Sequence, residues 1–124
     1  MPRQLLDSHT LLWFALGNRR RISSKLRARI ESGATVSVVS LWEIAIKSAL
    51  GRLEAPDDLP ERVEAMGFEL LQVGAEHAWR VRSLPRHHGD PFDRLLIAQA
   101  QIEWMPIVSA DSEFAPYDVR VVWD

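Results

Sequence analysis

Asp7, Glu43 and Asp111 each fall at, or within a few residues of, the carboxyl end of a strand-like segment, and Asp93 falls in the first turn of a helix-like one. In open parallel α/β sheets the carboxyl ends of the strands share one edge, where ligands bind. Four carboxylates could therefore converge. Two ionised carboxylates about 4 Å apart repel by roughly 4 kcal/mol at an effective dielectric of about 20, so such a cluster needs cations. With carboxylates as ligands and no cysteine in the chain, hard Mg2+ or Mn2+ is favoured over zinc.

Each acid also has a purely structural reading. Ser40-Leu41-Trp42-Glu43 fits a capping box, with Ser40 as N-cap and Glu43 reaching back to it. Glu43 also precedes Lys47 by four residues, the favourable order for a helical ion pair. Asp90-Pro91-Phe92-Asp93 resembles an N-cap followed by a proline and a first-turn acid. Asp7-Ser8 could cap a helix, and Asp111-Ser112 could be a turn. Asp93 is set apart by its i+4 and i+7 neighbours, Ile97 and Ala100, which place it along an apolar face. Capping does not require that, and a charge on a buried stripe is costly unless paired or metal-bound.

His87-His88-x-Asp90 invites a reading as part of a zinc or iron site. Adjacent histidines in a loop lack the i, i+4 geometry of a helical zinc pair, so they are read as loop residues, and His9 and His77 as structural or surface positions.

Arg19, Arg20, Arg21, Lys25, Arg27 and Arg29 form a cationic run without an acid, with Arg21, Lys25 and Arg29 at i, i+4 and i+8. Like charges so placed destabilise a helix by roughly 0.2–0.5 kcal/mol per pair, a cost that an anionic partner offsets. A phosphate backbone fits; a solvated helix face and an acidic protein partner remain the alternatives. Trp42 and Trp104 lie within helical patterns and are expected in the core.

The elements that must position these residues alternate between strand and helix, which predicts an α/β layer architecture with a mainly parallel sheet. Strand-like segments are Gln4-Leu5-Leu6, Thr35 to Val39, Phe68 to Val73, Ile107-Val108-Ser109 and Val119 to Trp123. Helices are expected over His9 to Leu16, Ser23 to Ser32, Ser40 to about Leu50, a short stretch after Pro60, Ala75 to Leu84 and Pro91 to Trp104. The 124 residues fit one domain, spanning 1–124, with no linker or repeat.

Composition excludes other classes. Hydrophobic residues make up 47% and charged residues 26%, as in ordinary globular proteins. No apolar run approaches a membrane span. Met1-Pro2-Arg3-Gln4 leads into Leu5-Leu6 without the pattern of a signal peptide, so a cytoplasmic location is expected. The net charge of -2 hides an asymmetry: residues 1–53 carry nine Lys/Arg against three acids, and the remainder six Arg against fourteen acids. A polyanion suits the first half, and bound cations suit part of the second.

Four stretches together resemble the PIN domain family, and within it the VapC-type toxins of bacterial toxin-antitoxin pairs. Leu5-Leu6-Asp7-Ser8-His9-Thr10-Leu11-Leu12-Trp13 is similar to the family's opening motif, with Ser8 where threonine is commoner. Ser40-Leu41-Trp42-Glu43-Ile44-Ala45-Ile46-Lys47, followed by Leu50-Gly51-Arg52-Leu53, resembles the second. His88-Gly89-Asp90-Pro91-Phe92-Asp93-Arg94-Leu95-Leu96-Ile97-Ala98-Gln99-Ala100 resembles the third, and Ser109-Ala110-Asp111 the fourth.

The resemblance implies a three-layer α/β/α sandwich and Mg2+- or Mn2+-dependent endonuclease cleavage of RNA. It also implies control by a cognate antitoxin, and a homodimer. Asp7, Glu43, Asp93 and Asp111 become the acidic metal-binding set, with Asp7 and Asp93 as main ligands and Glu43 and Asp111 completing the cluster directly or through water. Asp90 falls at the helix cap. Ser109 and Arg94 are candidate contacts to a ligand or phosphate, with a surface ion pair as the alternative for Arg94; Arg21, Lys25 and Arg29 are candidate RNA contacts. Two rivals remain. An aspartate-nucleophile phosphatase usually has a second aspartate two residues after the first, where this chain has His9. A catalytically inactive PIN-like module that binds RNA or protein would keep the acids as caps.

Overall fold

The computed structural model describes residues 3–124, so Met1 and Pro2, part of the leader-free reading of the N-terminus, lie outside the described residues. In chain order the elements are β1 (Leu5–Leu6), α1 (Ser8–Ala15), α2 (Ser24–Glu31), β2 (Thr35–Ser37), α3 (Val38–Ala49), α4 (Leu59–Ala65), β3 (Glu69–Leu71), α5 (Ala75–Arg80), α6 (Pro91–Glu103), β4 (Ile107–Val108) and β5 (Val121–Val122). The strands form one five-stranded sheet in the order β3-β2-β1-β4-β5, with every neighbouring pair parallel.

Alternation along strands of two or three residues divides the core. Leu6, Val36 and Val108 pack with Leu11, Leu26 and Val63 from α1, α2 and α4 on one face, whereas Leu5 and Ile107 pack with Leu96, Ile97 and Ala100 of α6 on the other. The result is the expected three-layer α/β/α sandwich. β1 and β4 are apolar on both faces because both faces are covered. Burying each such side chain contributes roughly 1.5–3 kcal/mol, so these short strands are held by packing more than by ladder length. No helix among the described residues is long and apolar enough to cross a membrane.

Several boundaries differ from the sequence-based expectation, each for a local reason. α3 starts at Val38 rather than Ser40, because Ser37 ends β2 and its hydroxyl accepts the Val39 N–H at 3.0 Å. Ser40 is thus not the cap, and its buried Oγ has no partner among the described residues. α5 stops at Arg80 and continues as a 3-10 turn over Val81–Ser83, since Pro85 keeps Leu84 extended. Trp42 and Trp104 are not core residues: they are 56% and 92% exposed. The buried face of α3 is taken by Val39, Ser40, Glu43 and Ile44, which leaves Trp42 on its rim against Phe92. Trp104 caps α6 in the left-handed conformation, φ 56°, which turns its indole away from the helix face.

Candidate metal centre

The strand order reverses direction around β1, so the crevice at the carboxyl ends of β1 and β4 is the topological switch point where such sheets bind ligands. Asp7 immediately follows β1 and is 4% exposed. Its two oxygens have different tasks. Oδ1 caps α1 by accepting the Thr10 N–H at 2.8 Å, and Oδ2 accepts the Ser109 hydroxyl at 2.5 Å. Ser109 follows β4, and its Oγ also accepts the Asp111 N–H at 2.9 Å, while Asp111 Oδ1 caps the next short turn through the Glu113 N–H. One hydroxyl therefore ties the acids beyond the two central strands.

Glu43 arrives from the other side. With the cap moved to Ser37, Glu43 lies deep in α3 instead of at its third position, and the capping role falls away. It is 4% exposed, accepts the Ser8 hydroxyl at 2.6 Å through Oε1, and pairs with Lys47 Nζ at 2.8 Å through Oε2. The expected i, i+4 ion pair is present, and it faces the acid cavity rather than open solvent. The Glu43 carboxylate holds the Lys47 ammonium above its ordinary pKa, with Asp90 and Asp93 adding to the effect.

Asp90 caps α6 as expected: its Oδ1 accepts the N–H groups of Phe92 at 2.8 Å and Asp93 at 3.1 Å. The cap aims Asp93 inward. Asp93 Oδ2 lies 2.9 Å from His88 Nε2, and His88 Nδ1 lies 3.4 Å from Glu113 Oε2. His88 is thus at the site, not a bystander of the loop. Sequence reasoning missed it because the residue that orients it, Glu113, is 25 positions away. The only signal was its place two residues before the cap of the helix that carries Asp93.

Asp7, Glu43, Asp93 and Asp111 line one cavity of about 140 Å³, together with Ser8, His9, Lys47, His88 and Asp90. Ser109 supports it from behind Asp7. The basic residues stand elsewhere. Arg21 precedes α2, in a turn over the Trp13 ring, so the three-residue helical stripe is broken. Lys25 and Arg29 line a separate surface cleft with Arg120, and Arg29 is tied to Gln4. Arg94 donates to the carbonyls of Pro85, His88, Val81 and Leu84 and to the Tyr117 hydroxyl. Its guanidinium is engaged in shaping the loop before α6 and does not line the cavity.

Electrostatics favour a bound cation. Burial raises the Asp7 carboxyl above the ordinary range, against hydrogen bonds from Ser109 and Thr10 that lower it. Burial, with Asp90 and Glu43 nearby, raises Asp93 to about 6, although the His88 hydrogen bond pulls the other way. Lys47 and His88 leave this negative charge only partly balanced. A divalent ion fits the donor set, which is carboxylate oxygens with one facing imidazole.

No curated protein matches the chain. The fold superimposes on that of VapBC2 from Rickettsia felis bound to a DNA fragment from its promoter, with a TM-score of 0.72, 11% identity and 98% of each chain covered. DNA-bound VapBC from Salmonella typhimurium gives 0.71 at 19% identity over 99% of this chain and 98% of that one. FitAcB from Neisseria gonorrhoeae gives 0.65 at 19% identity over 95% of each. At these identities the likeness is one of fold. A profile of the PIN domain matches residues 5–119, across all four acids of the cavity, and the chain belongs to the PIN domain family.

Proposed function

We propose that this chain is the toxin of a toxin-antitoxin pair, acting in the cytoplasm as a homodimer and as an endoribonuclease dependent on Mg2+ or Mn2+. The observation that carries the reading is the convergence of Asp7, Glu43, Asp93 and Asp111, from four separate stretches of chain, in one cavity at the switch point. Asp7 and Asp93 are the main ligands, and Glu43 and Asp111 complete the set directly or through water. When bound, the cation supplies acidification of water and neutralisation of charge developing on the phosphate. The remaining work falls to the protein. Ser109 fixes the Asp7 carboxylate and the Asp111 backbone, Ser8 fixes Glu43, and the Asp90 cap fixes the helix start that presents Asp93.

Similarity to VapBC complexes and to a toxin-antitoxin complex from Klebsiella pneumoniae supports the antitoxin partner. So does α3 with its C-cap, where Trp42, Ile46 and the capping Leu50 recur every four residues as an exposed apolar stripe. Arg21, Lys25 and Arg29, outside the cavity, are assigned phosphate contacts away from the scissile bond.

The test is incubation of the purified, partner-free protein with total cellular RNA and Mg2+ or Mn2+. Cleavage that a chelator abolishes, and that Asp7→Asn and Asp93→Asn each reduce by about 10–100-fold or more, is the expected result. If the folded wild type cleaves nothing, or the variants cleave equally well, the ribonuclease reading fails and an inactive binding module takes its place.

A further inference from the structure

We propose that His88 Nε2 is a nitrogen ligand of the divalent cation and gives the centre a preference for Mn2+ over Mg2+. The inference rests on the metal-dependent reading above and adds a ligand and an ion selectivity to it. One ring nitrogen of His88 and one oxygen each of Asp90 and Asp93 lie within 4.8 Å of one another. Two donors about 2.1 Å from a common ion stand up to about 4.2 Å apart, so the cation assigned to Asp93 has the His88 ring within reach, while Asp90 stays at the helix cap beside it.

The surroundings of the ring argue against a casual surface pair. Carboxylates meet both nitrogens: Asp93 on the cavity side of Nε2 and Glu113 outside, 3.4 Å from Nδ1. An outer carboxylate on the far nitrogen is the usual companion of a metal-ligating histidine, since it fixes the tautomer and leaves the inner nitrogen free to coordinate. The backbone is also held. The His88 carbonyl accepts from Arg94 Nη1 at 3.4 Å and from the Tyr117 hydroxyl at 3.3 Å, which restrains where the ring can swing. Of the other nitrogen groups lining the cavity, Lys47 is an ammonium paired with Glu43 and has no lone pair to offer, and the His9 ring packs 5.8 Å from that of Trp13. Mg2+ demands near-ideal octahedral oxygen geometry and holds its water, whereas Mn2+, although it shares the preference for oxygen, is a transition-metal ion that tolerates an imidazole nitrogen beside carboxylates.

Pulsed electron paramagnetic resonance of Mn2+ bound to the full chain tests this without reference to catalysis. The expected spectrum carries 14N modulation that changes on 15N labelling of the histidines and disappears in His88→Gln. In that variant Mn2+ affinity is expected to fall about 10–100-fold, while Mg2+ affinity, read by competition, changes less than about threefold. Glu113→Gln keeps the modulation and weakens Mn2+ by about tenfold. Bound Mn2+ without nitrogen modulation overturns the proposal and leaves the carboxylate site standing; so does modulation that survives in His88→Gln, or equal weakening of both ions. Absence of any Mn2+ binding by the folded wild type overturns the metal reading together with it. The labelling experiment needs no variant, so a misfolded substitution does not rescue the idea.

Discussion

Ser109 Oγ donates to Asp7 Oδ2 at 2.5 Å and accepts the Asp111 N–H at 2.9 Å, so one buried hydroxyl locks together the residues that follow the two central strands. Its geometry fixes the Asp7 oxygen that the α1 cap leaves over. In Ser109→Ala the Asp111 N–H loses its partner and Asp7 Oδ2 is free to turn. A stability loss of about 1–3 kcal/mol and a metal affinity lower by about tenfold are expected from chemical unfolding and metal titration. Unchanged metal affinity would mean that Ser109 only caps a turn.

Asp93 links the site to pH. Its folded pKa of about 6 lies above the unfolded value of about 3.9, so the folded state binds the proton more tightly. The destabilisation is full above pH 6, is relieved as pH falls through that value, and is gone below about pH 4. Between pH 7 and pH 5 the metal-free wild type should therefore gain stability relative to Asp93→Asn. With Asp93 as a metal ligand, as proposed, protons compete for the same carboxylate, and apparent metal affinity should drop by up to about tenfold per pH unit below 6. Paired titrations at pH 7 and pH 5 check both statements.

Arg94 is expected to act through structure. Its guanidinium satisfies four backbone carbonyls and the Tyr117 hydroxyl, and lysine cannot reproduce that planar fork. Arg94→Lys should lower stability by about 2–3 kcal/mol and leave the salt dependence of RNA binding unchanged. A phosphate contact would reduce the slope of log affinity against log salt by about 0.7 for single-stranded RNA, which a filter-binding series resolves.

Trp104 holds a left-handed conformation while 92% exposed. Trp104→Gly relieves a strain of about 1–2 kcal/mol and gives up little packing, so the melting temperature should rise by about 3–5 °C. A lower melting temperature would show that the indole contributes packing that its exposure conceals.

Legibility in the sequence followed how local each determinant is. The start of α2 beside Ser23 and the α6 cap at Asp90 depend on residues two or three positions away, and the sequence shows both the helix start and the Asp90 cap. The inward aim of Asp93 followed from Ile97 and Ala100 on its own helix. The start of α3 was not readable, because Ser37 and Ser40 are both good caps and Val38-Val39 has strand propensity; packing of Val39 and Ile44 overrides that propensity. The contacts of His88 and Arg94 are not legible in the sequence for a different reason. Their roles are set by Glu113 and by Tyr117 with four loop carbonyls, contacts that no spacing rule anticipates. Trp104 followed the helical period up to the residue where the backbone leaves it.

The proposed centre requires that Asp7 and Asp93 share a divalent cation. Anomalous X-ray scattering from crystals soaked in Mn2+ tests it most directly. The expected result is a single dominant peak within coordination distance of both carboxylates, at the carboxyl ends of β1 and β4, and its loss in Asp93→Asn. A Mn2+ peak elsewhere, or no peak in crystals whose cavity is open to solvent, would contradict it.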